Sequence, residues 1–296
     1  MGSTRLPGKV LLEVAERPML QLQIERMRAG LPVDWVIAIA TGDSPTDDPV
    51  AALAERLGVP VVRGSEADVL ARFALALDLF PADNVVRLTG DCPLTDPELV
   101  RATVKLHVDA VAAYTSNVYP RSFPKGLDVE VMTADALRSA AAEAVDPVER
   151  EHVTPYLVRR PERFPLATLF SGEDLSDEWW TVDQAEDLAR IRAMTAHLAD
   201  PVHAPWTEVL AAVGRTPRRR GKVHLRPLPP PAPGTSPWVR SWRAELDGQM
   251  LGTASVAVGD DETTTTIEAA GAGFAVRAAL EELLSGDVQI SRSSPS

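Results

Sequence analysis

The chain of 296 residues has a single cysteine, Cys92. That excludes an internal disulfide framework and any multi-cysteine metal site, and it fits a reducing compartment. Basic residues are also in short supply: 30 Lys and Arg stand against 42 Asp and Glu, a net charge of -12. General affinity for nucleic acid or an anionic membrane is thereby disfavoured, and any phosphate site must be local. No apolar run approaches the roughly 20 residues of a membrane span, and no signal-peptide pattern is present, so a cytoplasmic protein without membrane insertion is expected. What the chain does have is 45% hydrophobic residues, enough for a packed core in one large domain or two.

The first nine residues hold the densest cluster of phosphate-compatible groups. Gly2 lets the backbone approach a ligand, Ser3 and Thr4 offer hydroxyl and amide donors, and Arg5 and Lys9 add two cations four residues apart. A nucleoside triphosphate suits such a loop; a plain tail followed by a turn at Pro7-Gly8 is the alternative. Beyond it the chain alternates. Residues 18–29 have helical spacing and stop at Gly30, residues 34–40 read as a buried strand, 48–57 as a helix stopped by Gly58, and 59–62 as a strand. A helix at 65–79 and a strand at 84–88 continue the rhythm, for which parallel pairing with right-handed crossovers is the economical topology.

The strand at 84–88 runs into Thr89-Gly90-Asp91-Cys92-Pro93-Leu94-Thr95-Asp96-Pro97. Ligands of open α/β sheets gather at the carboxyl ends of strands, which favours Asp91 as a metal ligand, whereas Asp96 before Pro97 reads as a helix N-cap. Residues 114–131 form a polar, turn-rich excursion suited to a substrate flap, in which Asn117, Lys125, Asp128 and Glu130 offer groups for sugar hydroxyls or a carboxylate; a plain surface hairpin fits equally. Arg150-Glu151-His152 precedes Pro155 and can position an acceptor or sit on a solvated helix face. Asp183 follows Glu178-Trp179-Trp180-Thr181-Val182 and reads either as an N-cap with Glu186 at N3 or as a second carboxylate completing an oxygen-ligand set for Mg²⁺.

Taken together, Gly2 to Lys9, Gly90 to Leu94, Gly126 to Glu130, the Arg150-Glu151-His152-Val153-Thr154-Pro155-Tyr156 string and Asp183 to Leu188 resemble the spore-coat polysaccharide biosynthesis protein F family. Its relatives are the CMP-Kdo and CMP-sialic acid synthetases. The resemblance covers residues 1 to about 214 and implies a GT-A-like (Rossmann-like) α/β nucleotidyltransferase sheet with flanking helices. It implies CTP as nucleotide, Mg²⁺ as cofactor and a sugar as acceptor. It assigns Arg5, Lys9 and Asp91 to catalysis, Gly2, Ser3, Thr4, Arg5, Lys9 and Gly90 to the nucleotide, and Asp91 and Asp183 to the metal. Asn117, Asp128, Glu130 and His152 fall to the substrate, with His152 in a positioning role. Ala185 stands where the related synthetases carry Pro.

In that family the loop follows a hydrophobic first strand inside the sheet, and this strand and the Arg ahead of the loop are absent here. Each orphaned backbone group left by an interior strand costs on the order of 1–3 kcal/mol. The expectation is therefore that Met1 is an internal methionine of a product beginning some way upstream.

Residues 215–237 combine Arg215, Arg218, Arg219, Arg220 and Lys222 with Pro227, Pro229, Pro230, Pro231 and Pro233 and read as an extended linker. Residues 238–291 read as a small α+β unit: a hairpin at Asp247-Gly248, a Thr-rich third strand and a helix at 273–284, with a short tail at 292–296. The unit faintly resembles the core of a GNAT-type acyltransferase but lacks a recognisable acyl-CoA phosphate loop, and its function is left open. Its small size makes docking on the main domain or a homodimer plausible. The functional expectation is transfer of CMP from CTP to an acidic or unusual sugar, with pyrophosphate leaving, for cell-surface or spore-coat polysaccharide. The rivals are a GT-A glycosyltransferase using a nucleotide-sugar and a non-catalytic nucleotide- or sugar-binding protein.

Overall fold

The computed structural model describes residues 5–171 and 174–214, together with the backbone ladders of four strands between residues 224 and 270. Gly2, Ser3 and Thr4, the Asp247-Gly248 turn and the expected helix at 273–284 lie outside the described residues.

A single 3₁₀ turn over Lys9–Leu11 leads into the short hairpin β1 (Glu13–Val14) and β2 (Arg17–Pro18), then α1 (Met19–Gly30). The alternating pattern follows as β3 (Ile39–Gly42), α2 (Asp48–Leu57), β4 (Val61–Gly64), α3 (Val69–Leu79) and β5 (Asn84–Arg87). Gly58 closes α2 in the left-handed region at φ 61°, as its position after the apolar stripe implies. The strand expected at 34–40 starts later because its first rung is the Ile39 amide on the Pro60 carbonyl at 2.8 Å, while Val36 stays exposed.

Next come α4 (Pro97–Asp109), β6 (Tyr114–Ser116), β7 (Glu130–Thr133), α5 (Ala134–Glu143), α6 (Pro147–His152), α7 (Pro155–Val158) and β8 (Leu166–Thr168). The domain ends with α8 (Ala185–Ala196) and α9 (Trp206–Ala212). Asp96 caps α4 through the Glu98 and Leu99 amides at 2.7 and 3.3 Å, with Pro97 at the first helical position.

Strand pairing meets the parallel expectation for the first two alternating strands and departs from it at the third. β3 and β4 are parallel, but β5 pairs antiparallel with β7, which pairs antiparallel with β6, and β6 lies parallel to β8. The reason is the excursion at 117–129, which returns the chain against β6 and β5 instead of crossing over. β3 and β5 share no ladder, so each has one edge without a strand partner among the described residues. Packing joins the two ladders in place of hydrogen bonds: Val10 and Ile37 touch both the main core, around Leu22, Leu94 and Trp180, and the smaller core of Leu20, Leu53 and Val59.

Residues 224–270 hold β9 (His224–Pro227), β10 (Val239–Leu246), β11 (Gln249–Val258) and β12 (Thr265–Ala270) in the order β12-β11-β10-β9, with every neighbouring pair antiparallel. The β10–β11 hairpin and the Thr-rich strand agree with the sequence. The expected linker does not, because β9 lies inside it and pairs with β10; Pro227 is tolerated there at the end of an edge strand.

Two anchors hold the strand-end loop at 89–96. The Gln23 side-chain amide donates to the Thr89 and Cys92 carbonyls and the Thr95 hydroxyl, at 2.9, 3.0 and 3.1 Å. Fully buried Arg26 donates to the Thr95 carbonyl at 3.0 Å. On the opposite flank Gly126, at φ 112°, lies against the Trp180 backbone so tightly that a Cβ would stand 2.5 Å from its carbonyl carbon. Gly126→Ala is therefore expected to lower unfolding free energy by at least about 2 kcal/mol, read by urea denaturation; unaltered stability would contradict this close approach.

Candidate active site

Two separated segments meet at one point. The Val182 amide donates to the Asp91 carbonyl at 2.9 Å and the Thr181 hydroxyl to the same oxygen at 3.3 Å, which sets Asp183 beside Asp91. The 178–183 segment is itself pinned, since the Lys125 amide donates to the Glu178 carbonyl and the Trp180 amide to the Lys125 carbonyl, at 2.9 and 2.6 Å. Lys9, on the first turn after the Pro7-Gly8 bend, places Nζ 2.9 Å from Asp91 Oδ2 and 2.9 Å from Asp183 Oδ1. Arg5, with its side chain 62% exposed, stands at the rim, its Nη2 3.5 Å from the same Asp183 oxygen. Gly90 precedes Asp91, and a Cβ there would meet Val10 and Leu20 at ordinary contact distance.

Burial works against charge on Lys9, but the hydrogen bonds and charges of Asp91 and Asp183 outweigh it and hold the ammonium above the ordinary lysine value. Burial likewise opposes ionisation of Asp91, yet Lys9 and the Thr89 hydroxyl hold its carboxyl below the ordinary 3.8. Cys92 is buried beside it. Burial and the Asp91 charge push that thiol far up, so it stays protonated and serves as packing.

Asp183 is spared the N-cap role that the sequence allowed. α8 begins one residue later, and Asp187, in place of Glu186, accepts the Asp183 and Gln184 amides at 3.0 and 2.9 Å. The Asp183 carboxylate is thereby left to the crevice. A pair of hard oxygen donors with no thiolate or free imidazole between them suits a divalent cation of the Mg²⁺ type, completed by phosphate and water oxygens. No group of three or more acidic, His or Cys side chains among the described residues makes a metal cage by itself.

The residues expected to bind substrate are employed differently. Asn117 is buried, donating to the Leu127 carbonyl at 2.7 Å and accepting from the Val129 amide at 2.9 Å, so its amide is spent on bracing the flap. Asp128 is held by a two-pronged Arg121 contact at 2.5 and 2.7 Å. Glu130 is buried and accepts from Arg87, from the Tyr114 hydroxyl at 2.7 Å and from the Thr154 hydroxyl at 2.6 Å. His152 is exposed at the end of α6, and its string acts through neighbours: Arg150 binds Asp68 at 2.7 Å, and Thr154 binds Glu130. Asp128 and Glu130 each face a cation, Arg121 seven residues earlier in the chain and Arg87 across the β5–β7 pair. Arg87 escaped notice in the sequence; its signal was a lone charge closing the apolar run Val85-Val86.

A family model described as cytidylyltransferase matches residues 1–193. The chain belongs to the cytidylyltransferase family. It is similar to the spore coat polysaccharide biosynthesis protein SpsF of Bacillus subtilis, 32% identical over 223 residues, or 73% of this chain and 92% of that protein. A 3-deoxy-manno-octulosonate cytidylyltransferase of Anaeromyxobacter is 31% identical over 233 residues, 66% of this chain and 93% of that one. Among solved structures, a cytidylyltransferase from Leptospira borgpetersenii superposes with a TM-score of 0.69 at 29% identity, covering 72% of this chain and 90% of that one. This cytidylyltransferase is thus a sugar-activating nucleotidyltransferase by family, on a mixed α/β nucleotidyltransferase fold.

The charge balance of the crevice can be tested by titration. Asp91 contributes stability that is present above the ordinary 3.8 and is lost as pH falls through its lower folded value. In wild type its carboxyl should titrate below 3.8. In Lys9→Met, burial and nearby Asp183 should carry it above that value, read by carbon-13 carboxyl NMR; an unmoved Asp91 would show that Lys9 does not control it.

Proposed function

We propose that this cytidylyltransferase transfers CMP from CTP to an acidic sugar, with release of pyrophosphate, and that the product feeds synthesis of a surface polysaccharide. The observation that carries the reading is the convergence of Lys9, Asp91 and Asp183 at the strand ends. The acidic acceptor is supported by similarity to the 3-deoxy-manno-octulosonate cytidylyltransferase, and the polysaccharide context by similarity to SpsF.

Asp91 and Asp183 are the residues that would hold Mg²⁺, which would supply charge neutralisation for the triphosphate. Lys9 and Arg5 face the polyphosphate as cations. Lys9 is held charged, so it can bind an α-phosphate oxygen as negative charge builds on it, and it does not act as a base at neutral pH. Gly2, Ser3, Thr4 and Gly90 belong to the nucleotide-binding loop in this reading, and Asp128 and Glu130 shape the acceptor side without touching the sugar. The attacking oxygen needs alignment more than a general base, since the leaving pyrophosphate is a good leaving group once its charge is neutralised. No helix among the described residues is long and apolar enough to cross a membrane.

Asp91→Asn should lower CTP-dependent pyrophosphate release with 3-deoxy-manno-octulosonate by about 100-fold or more while unfolding stays cooperative. Wild-type release that the substitution leaves untouched would refute the assignment.

A further inference from the structure

Glu130 is a carboxylate that folding has taken out of water, with its side chain 8% exposed. It is satisfied by three donors from three elements: Arg87 at the end of β5, Tyr114 at the start of β6, and Thr154 ahead of α7. Burial and the Glu130 charge push the Tyr114 hydroxyl up, so it remains a donor at every working pH. Two neutral donors therefore share the carboxylate with Arg87, and the guanidinium is required for only one of its prongs.

The other prongs are free. Nη1 contacts Glu130, and Nε and Nη2 have no hydrogen-bond partner among the described residues. They are not sealed in either, because the Arg87 side chain is 18% exposed and the one fully buried orphan donor among the described residues belongs to Arg72. Arg87 closes β5 four residues ahead of Asp91, at the same carboxyl end of the sheet as the Lys9, Asp91 and Asp183 cluster. A fork fixed on one side and open on the other, at the strand end that leads to Asp91, has the shape for two-pronged capture of an oxyanion, and little side-chain freedom remains to be lost on binding.

We propose that Arg87, oriented by Glu130, binds the oxyanion of the acceptor sugar, a carboxylate or a phosphate. This rests on the acidic-acceptor reading and names the group that enforces it. Arg87 selects the acceptor; Glu130, Tyr114 and Thr154 position Arg87.

The test is binding without turnover. Wild type, Arg87→Gln and Arg87→Lys are titrated in the absence of nucleotide with 3-deoxy-manno-octulosonate, glucose 1-phosphate and neutral glucose, followed by calorimetry and by the Arg87 Nε–H signal. At least one anion should bind wild type and shift that signal, and the identity of that anion separates carboxylate from phosphate. Glucose should do neither. Both variants should weaken the anion by about tenfold or more while leaving Mn²⁺-dependent CTP affinity within about twofold of wild type. Arg87→Lys keeps a cation for Glu130, so a purely structural ion pair would leave its anion binding as in wild type. That result, or failure of both anions to bind wild type, overturns the proposal. CTP binding is scored separately: a wild type that binds the anion at Arg87 but not CTP upholds this inference and overturns the nucleotide reading.

Discussion

The site depends on one backbone contact, the Val182 amide on the Asp91 carbonyl at 2.9 Å. It sets two carboxylates from segments some ninety residues apart side by side, an arrangement that like-charge repulsion opposes. Lys9 resolves the conflict by standing 2.9 Å from both. Everything around this point serves to hold it: Gln23 and Arg26 fasten the loop that carries Asp91, Gly126 lets the flap backbone reach Trp180, and Asp187 takes over the capping of α8 so that the Asp183 carboxylate is left to Lys9 and the crevice.

The same economy of charge explains the second polar cluster. Asn117, Asp128 and Glu130 lie in the flap that a substrate would approach, and each is committed to holding that flap in shape. A rigid flap costs less to order around a sugar than a mobile one. Recognition then passes to groups with spare donors, of which Arg87 is the clearest in the structure.

Much of the main domain was legible because its signals are local. The apolar stripe of α2 with Gly58 behind it, and Asp96 with Pro97 ahead of α4, each need only neighbouring residues to be understood. The strings around Lys9, Asp91 and Asp183 were legible as chemistry, though their convergence rested on resemblance until the contacts were seen. What could not be read was non-local. The antiparallel return of β7 along β5 is set by which edge the flap comes back to, and no periodicity encodes that. The role of Glu130 turned on Arg87, 43 residues away in the chain, whose proximity only the fold creates. The strand His224–Pro227 was hidden by a Pro-rich, basic surrounding that reads as a connector.

The central claim is that Asp91 and Asp183 together hold a divalent cation on CTP, with Lys9 as their resident counter-charge. Its most direct test is a Mn²⁺ electron paramagnetic resonance titration with CTP, comparing wild type with the double variant Asp91→Asn/Asp183→Asn. The account expects wild type to bind Mn²⁺ and CTP together and the double variant to lose at least about tenfold in that joint affinity. Equal binding by the two proteins would contradict it.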